Sequence, residues 1–467
     1  MNASDPFKEY TQAVCEQIRW KKAHASVAKE LEDHLLDQKE AYIACGDSEE
    51  TAAQKALLQM GDPVAVGMSL DNTHKPAPQK GMLALVIALL CIGTFLQFQF
   101  IPLLAQTHLQ EMYASRLYVI LPLAVVTLLL FYHLDFSFFG TYPYLLPVLL
   151  MVSIFAKELF GVQINGQRWF LLGSLSFSPM QLSLLFPLGL SCILYRFRRY
   201  SMQGYFGACC LTLFTALLLG SFFSLAALFV FAFAAGIVLF TASIRNWFGR
   251  KTKPVFFGFT ATGILFLVCL LFFAPFRYRW NRLTYVLHPE ADPNGYGYFT
   301  LLLRDLLTDA KLFGAADTLA ENAMFPNMIK DTFCSEYFLT FITYRFGWIV
   351  SIGLVLLLSG FLVWSFCKCL KQKSVLGQMV SLSILSVFTA ECFFYLLTNL
   401  GYPFIASASL PFLSYGMNSM LIHMALTGIL LSVFRTGEVQ TDFVHVSPVK
   451  EKHLIQWIDG TLMIRFR

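Results

Sequence analysis

Charge is scarce in this chain. Asp, Glu, Lys and Arg make up 13% of its 467 residues, where a soluble protein of that length carries about a quarter. The shortfall excludes an ordinary soluble enzyme, and a net charge of +5 is too small to argue for nucleic acid as a partner. Zincin-type His/Glu, Walker A and GxGxxG patterns are absent, which argues against a zinc protease and a nucleotide-driven pump. The start of the chain is polar and charged, so no cleavable signal peptide is expected. Its 11 cysteines are scattered, mostly inside apolar segments, with only Cys334 in a long polar loop, so no disulfide framework is expected. Cys367 and Cys369 flank Lys368 but have no His or further Cys nearby, and they read as membrane-edge cysteines rather than a metal site.

What the chain has instead is hydrophobicity: 57% of its residues are apolar and its mean hydropathy is +0.60. Ten apolar segments lie at roughly 82–104, 117–133, 138–160, 180–195, 204–219, 221–241, 254–275, 341–365, 378–402 and 418–434. Arg196, Arg198 and Arg199 follow the fourth, Arg245, Arg250, Lys251 and Lys253 the sixth, and Lys368, Lys371 and Lys373 the eighth. Ten spans place all these clusters on one side, which the positive-inside rule makes the cytoplasm; nine would split them. Both termini are then cytoplasmic, and the long loop 276–340 between the seventh and eighth spans is extracellular. The expected fold is an all-α polytopic membrane protein of ten transmembrane helices in the bacterial cytoplasmic membrane, residues 79–437.

Residues 1–78 precede it as a small helical cytoplasmic domain. Val27, Leu31, Leu35 and Ile43 keep helical spacing up to Gly46, a C-cap, and Ser48 starts a further helix that ends at "MGDP". This stretch resembles the prefix domain found before some bacterial permeases. Residues 438–467 form a cytoplasmic tail in which Asp459-Gly460, set between apolar alternations, predicts a β-hairpin.

Four separated motifs carry a family likeness. They are "INGQRW" (Ile164 to Trp169), "NRLTYVLHPEADPNGYGY" (Asn281 to Tyr298), "SEYFLTFITYRFGWI" (Ser335 to Ile349) and "LPFLSYGMNSM" (Leu410 to Met420). Together they resemble the SEDS family (RodA/FtsW/SpoVE-like) of bacterial membrane proteins. The resemblance implies a peptidoglycan glycosyltransferase that polymerises lipid II, the undecaprenyl-linked disaccharide-peptide, on the outer membrane face. It also implies a class B penicillin-binding transpeptidase as partner. The alternatives are a non-catalytic scaffold of the same fold and a transporter or flippase of lipid-linked sugars.

In the family an outer-loop Asp is the proposed catalytic acid, and a general base there suits glycosyl transfer, because the acceptor hydroxyl must lose its proton. Counting back from Gly347 places Glu336 at that position, whereas counting forward from Pro326 places Asp331 there; the aromatic-apolar run after the acid favours Glu336. Arg168 and Arg282 are candidate diphosphate ligands, and Trp169 a candidate surface for sugar or lipid, or else an aromatic-belt anchor. Ser414, Tyr415, Asn418 and Ser419 are expected to satisfy the backbone of a non-helical turn that walls a cavity for the lipid-linked headgroup. No cofactor is assigned, with a divalent cation as the open candidate.

The chain also departs from the family pattern. Gln181 stands in place of a carboxylate, Ser221 to Ser224 ("SFFS") lack the usual Asp, and Ala406 and Ser407 replace a Thr-Gly pair. Two ionisable residues inside spans, Glu391 and His423, are expected either to pair by a hydrogen bond between antiparallel neighbours or to serve a substrate or proton role. In the outer loop, the amphipathic run through Arg304 and Asp305 suits either an interfacial helix or a lid packed on protein.

Overall fold

The chain turns helical four times before its first apolar run, and the end of the second helix and the starts of the third and fourth have local causes. Helices α1 (Pro6–Gln17), α2 (His24–Ala44), α3 (Glu49–Met60) and α4 (Pro63–His74) precede the apolar region. Val27, Leu31 and Leu35 share a helix face and are buried against Val14, Ile18 and Ala56 in a core of their own. Ile43, at the same spacing, lies beyond that core and is exposed. Gly46 takes φ +103° just past the end of α2, a conformation that costs a residue without Cβ little. Ser48 Oγ then accepts the Thr51 N–H, and Asp62 accepts the Ala65 N–H at 3.0 Å ahead of Pro63 in the first turn of α4.

This computed structural model describes residues 6–103, 107–164, 167–172, 175–177, 179–222, 225–249, 252–272, 284–316, 335–404, 409–437, 455–458 and 461–464. The apolar region comprises α5 (Lys80–Phe100), α6 (Thr107–His133), α7 (Leu145–Phe160), α8 (Phe186–Phe197), α9 (Ser201–Phe222), α10 (Leu225–Ile244) and α11 (Lys253–Phe272). The long loop contributes α12 (Tyr298–Asp309) and α13 (Phe338–Phe346), and α14 (Trp348–Lys371), α15 (Val375–Asn399) and α16 (Met417–Thr436) follow. Among the described residues, 7 helical stretches are long and apolar enough to cross a membrane. One of them, Gln181–Gly220, runs through α8, a tighter 3-10 turn at Arg198–Tyr200 and most of α9. The protein is a polytopic helical membrane protein.

Two details differ from the reading of the sequence. The apolar segment 138–160 is not one helix: a short helix, Ser137–Thr141, is separated from α7 at Tyr142-Pro143, where proline disfavours helical geometry in the residue before it. The loop after α7 also contains strands β1 (Val162–Ile164), β2 (Gln167–Leu172) and β3 (Leu175–Phe177), paired antiparallel in the order β1-β2-β3. In the tail, β4 (Ile455–Ile458) and β5 (Thr461–Ile464) pair antiparallel, with Ile458 opposite Thr461 across Asp459-Gly460.

At the centre, α15 and α16 are enclosed by the other helices. Gly428 of α16 meets α6 so closely that an added Cβ would lie 2.6 Å from Phe131 Cβ and 2.7 Å from the Leu128 carbonyl oxygen. Such close approach of backbones is how small residues hold membrane helices together.

Candidate functional site

Three polar side chains on α15, Glu391, Tyr395 and Asn399, stand four residues apart and so share one helix face; all three are buried. Each reaches a different part of the chain. Asn399 Oδ1 accepts the Thr340 N–H at 2.9 Å, its carbonyl accepts the Thr340 hydroxyl at 2.8 Å, and its Nδ2 donates to the Glu336 carbonyl at 3.0 Å. The Tyr395 hydroxyl donates to the Ser335 carbonyl at 3.3 Å and also neighbours Ser414. Glu391 Oε2 lies 2.9 Å from His423 Nε2 on α16, so these two intramembrane ionisable groups do pair. The stripe therefore ties the start of α13, the turn before α16 and α16 itself to one helix.

That turn is held from within. The Leu410 N–H donates to Ser414 Oγ at 2.8 Å, and the Ser414 N–H donates back to the Leu410 carbonyl at 3.1 Å. Phe412 takes φ +70°, rare for a residue with a side chain, while its ring packs edge-on against Phe361 at 5.5 Å. Gly93 of α5 admits the turn, since a Cβ there would lie 2.7 Å from the Phe412 carbonyl oxygen. Gln97, one helical turn on, donates to the Leu413 carbonyl at 2.5 Å. Ser414, Asn418 and Ser419 are buried; Tyr415 is half-buried, its ring 4.7 Å from that of Tyr113. Ser419 Oγ bonds Ser409 Oγ and lies 3.4 Å from His423 Nδ1. The non-helical backbone is thus buried in protein, the condition under which a membrane tolerates it.

The loop side is equally specific. Asp292 Oδ2 accepts the Tyr296 N–H at 3.0 Å, and the Asp292 carbonyl accepts the Gly297 N–H at 3.0 Å. A Cβ at Gly297 would fall 2.1 Å from the Pro289 carbonyl oxygen, which explains the glycine of "DPNGYGY". Leu303 and Leu306 of α12 are buried with Tyr337, Phe341 and Tyr344, so α12 packs on protein. Arg304 donates to the Val286 carbonyl at 3.1 Å and the Gly401 carbonyl at 3.3 Å, and lies 4.7 Å from the Tyr402 ring centre. Residues 311–316 then dock on 344–349: the Trp348 N–H donates to the Lys311 carbonyl and the Ala316 N–H to the Tyr344 carbonyl. Gly347, at φ +95°, could not carry a Cβ, which would meet the Leu312 carbonyl oxygen at 2.7 Å.

Against this frame, Glu336 is half-buried directly before α13, on the segment that Asn399 and Tyr395 anchor. Asp331 and Arg282 lie outside the described residues. Arg168 sits on β2 and is half-exposed; its guanidinium lies 3.3 Å from Glu158 Oε2 and also donates to the Glu158 carbonyl. Glu158 in turn pairs with the buried Lys157 at 3.0 Å. Trp169, half-buried, faces Val162 in the β1–β2 pairing. Among the described residues no group of three or more His, Cys, Asp or Glu gathers as a metal site. Asn399, Tyr395 and Gln97 escaped the sequence reading, and Arg304 entered it only as part of the amphipathic run of the outer loop. The signal for the first two was in view, as polar residues every fourth position along an apolar span.

The comparisons agree with this architecture. Residues 80–438 match the FtsW/RodA/SpoVE family of cell cycle proteins. A probable peptidoglycan glycosyltransferase FtsW of Idiomarina loihiensis is 25% identical over 297 residues, 62% of this chain and 68% of that protein. The stage V sporulation protein E of Bacillus subtilis is 23% identical over 377 residues, 78% of this chain and 99% of that one. A chain from a peptidoglycan synthase complex, solved for the coordination of polymerization and crosslinking, has the same fold with a TM-score of 0.60 and 21% identity over 77% of this chain and 98% of its own. The Thermus thermophilus rod shape determining protein RodA superposes with a TM-score of 0.51 and 20% identity, over the same shares of the two chains.

Proposed function

The chain belongs to the FtsW/RodA/SpoVE cell cycle protein family, and on that premise we propose that it is a peptidoglycan glycosyltransferase polymerising lipid II. The observation that carries the reading is the meeting of the candidate acid and the family's last motif on one helix. Asn399 and Tyr395 bind the Ser335-Glu336 backbone while Tyr395 also reaches Ser414 of the Leu410–Met420 segment, and Glu391 pairs with His423 just beyond it. In this reading the helices cross the membrane ten times with both termini cytoplasmic, so the segment 276–340 and the "LPFLSYG" turn face outward, where lipid II is polymerised.

Glu336 then acts as general base. It takes the proton of the acceptor sugar hydroxyl as that oxygen bonds the donor's anomeric carbon and the lipid diphosphate leaves. Cationic help for the departing diphosphate falls to Arg168 and Arg282, with Arg168 first released from Glu158. The TM-score of 0.60 to a chain of a peptidoglycan synthase complex supports a class B penicillin-binding transpeptidase as partner. The departures at Gln181 and at Ser221 to Ser224 favour a second reading, a scaffold of the same fold that binds lipid II without joining it.

The test is polymerisation of labelled lipid II by the purified full chain with a candidate transpeptidase. Glu336→Gln keeps shape and removes basicity, so glycan formation should fall about 100-fold or more with the melting temperature nearly unchanged. Loss in Asp331→Asn with Glu336→Gln spared would move the base to Asp331. Lipid II bound by every version and polymerised by none would leave the scaffold.

A further inference from the structure

Four side chains below the turn form one hydrogen-bond chain that the proposed chemistry leaves unused: Glu391, His423, Ser419 and Ser409. The first three are 1%, 1% and 3% exposed, whereas Ser409 is only partly buried and forms the open end. The ends of such a chain fix its direction. An uncompensated carboxylate is costly at the buried position of Glu391, so the Glu391–His423 contact holds a proton and is net neutral. That proton rests either on His423 Nε2, beside a carboxylate, or on the Glu391 carboxyl, beside a neutral imidazole. In both cases His423 Nδ1 also carries a hydrogen, and its near neighbour is Ser419 Oγ at 3.4 Å. Ser419 accepts there, turns its own hydrogen to Ser409, and leaves the Ser409 hydrogen pointing out of the chain.

We infer that Ser409 is a hydrogen-bond donor, aligned by Glu391, His423 and Ser419, for a diphosphate oxygen of an isoprenoid-linked ligand. A diphosphate offers acceptors only and carries charge, so a donor of fixed direction suits it; a sugar hydroxyl, which gives or accepts, needs no such alignment. Each link polarises the next, so the outermost hydroxyl donates more strongly than an isolated serine. Ser409 touches the ligand, and Glu391, His423 and Ser419 are positioning residues. The inference rests on the lipid-linked ligand of the proposed function but not on catalysis.

The test uses the full chain in neutral-lipid nanodiscs, with undecaprenyl diphosphate and undecaprenol as probes. Ser409→Ala and Ser419→Ala should each weaken diphosphate binding by about three- to tenfold while undecaprenol binding and the melting temperature hold. Ser409→Thr, which keeps the hydroxyl, should restore the diphosphate preference. Equal losses for both probes, or none for either, would overturn the assignment. A second measurement does not depend on ligand. Nitrogen NMR of histidine-labelled protein, with His423→Gln to assign the signal, should find Nδ1 protonated; a bare Nδ1 would reverse the chain and sink the idea. Diphosphate bound in the expected pattern without glycan formation would remove the transferase reading and keep this one. Glycan formation with Ser409→Ala indifferent to the diphosphate would do the opposite.

Discussion

Helices α15 and α16 are enclosed, whereas α6 and α14 line the outside, and the enclosed pair is the less apolar of the two. The apolar windows of Val375–Asn399 and Met417–Thr436 are 72% and 83% buried, against 22% and 28% for Gln110–His133 and Trp348–Lys371. The enclosed pair carries Ser381, Ser383, Ser386, Glu391 and Thr427, and each of these has a hydrogen-bond partner. The outer pair presents Val119, Val126, Leu130, Leu356 and Val363. Polar groups are affordable in a membrane where protein surrounds them and supplies partners, so the candidate site gathers at the end of the enclosed pair.

The comparison breaks most visibly at Asn399. Asn399→Leu leaves the Thr340 N–H and the Glu336 carbonyl without their partner, and should cost about 2–4 kcal/mol of stability together with lipid II binding. Thermal unfolding in detergent measures the first and ligand titration the second. An unchanged melting temperature would mean that the loop is not held by α15. Next is Gly428→Ala. Its new Cβ would meet the α6 backbone at 2.7 Å, where little can yield, and about 1–3 kcal/mol should be lost. The control lies on α14, where a Cβ at Gly360 has nothing within 4 Å. Gly360→Ala should therefore stabilise, by up to about 1 kcal/mol of helix propensity. Harm at Gly360 with tolerance at Gly428 would invert the assignment of inside and outside.

How far all this could be read in advance depended on the kind of signal. Long apolar runs announce helices, and a carboxylate and a histidine in neighbouring spans announce each other, because each alone would be costly. The glycines of "DPNGYGY" and "FGWI" stood in view only as parts of the family motifs, and their steric reason is visible at Gly297 and Gly347. Asn399 was harder, since an Asn at the end of a helix ordinarily reads as a cap, whereas its side chain bonds another segment altogether. Arg304 stood in a run that suited either an interfacial helix or a lid packed on protein, and it braces two carbonyls and a ring. The strands of β1–β3 are as short as three residues, too brief for alternation to register against the neighbouring apolar runs. The choice between Glu336 and Asp331 turned on two counting anchors, which an insertion between them can set at odds.

The smallest expected effect lies where polar groups meet water instead of protein. In the prefix helices Lys39 Nζ donates to Glu49 Oε1 at 2.6 Å. That hydrogen bond first, and the ammonium charge second, hold the Glu49 carboxyl below the usual carboxylate range, against a weak opposing desolvation. A depressed folded-state value means that the pair's contribution is present above the unfolded value and is lost as pH falls through the folded one, in the acid range. The Glu49 side chain is 77% exposed, so water and salt screen most of that contribution. Lys39→Met should therefore raise the Glu49 titration toward the ordinary carboxylate range by carbon NMR. The melting temperature at neutral pH should move less than in Gly360→Ala, and the difference should vanish in acid or at high salt. A shift as large as that of Gly428→Ala, persisting in salt, would mean that the prefix helices are held by enclosed polar contacts after all, and the contrast between regions ruled by protein and by water would fail at its clearest point.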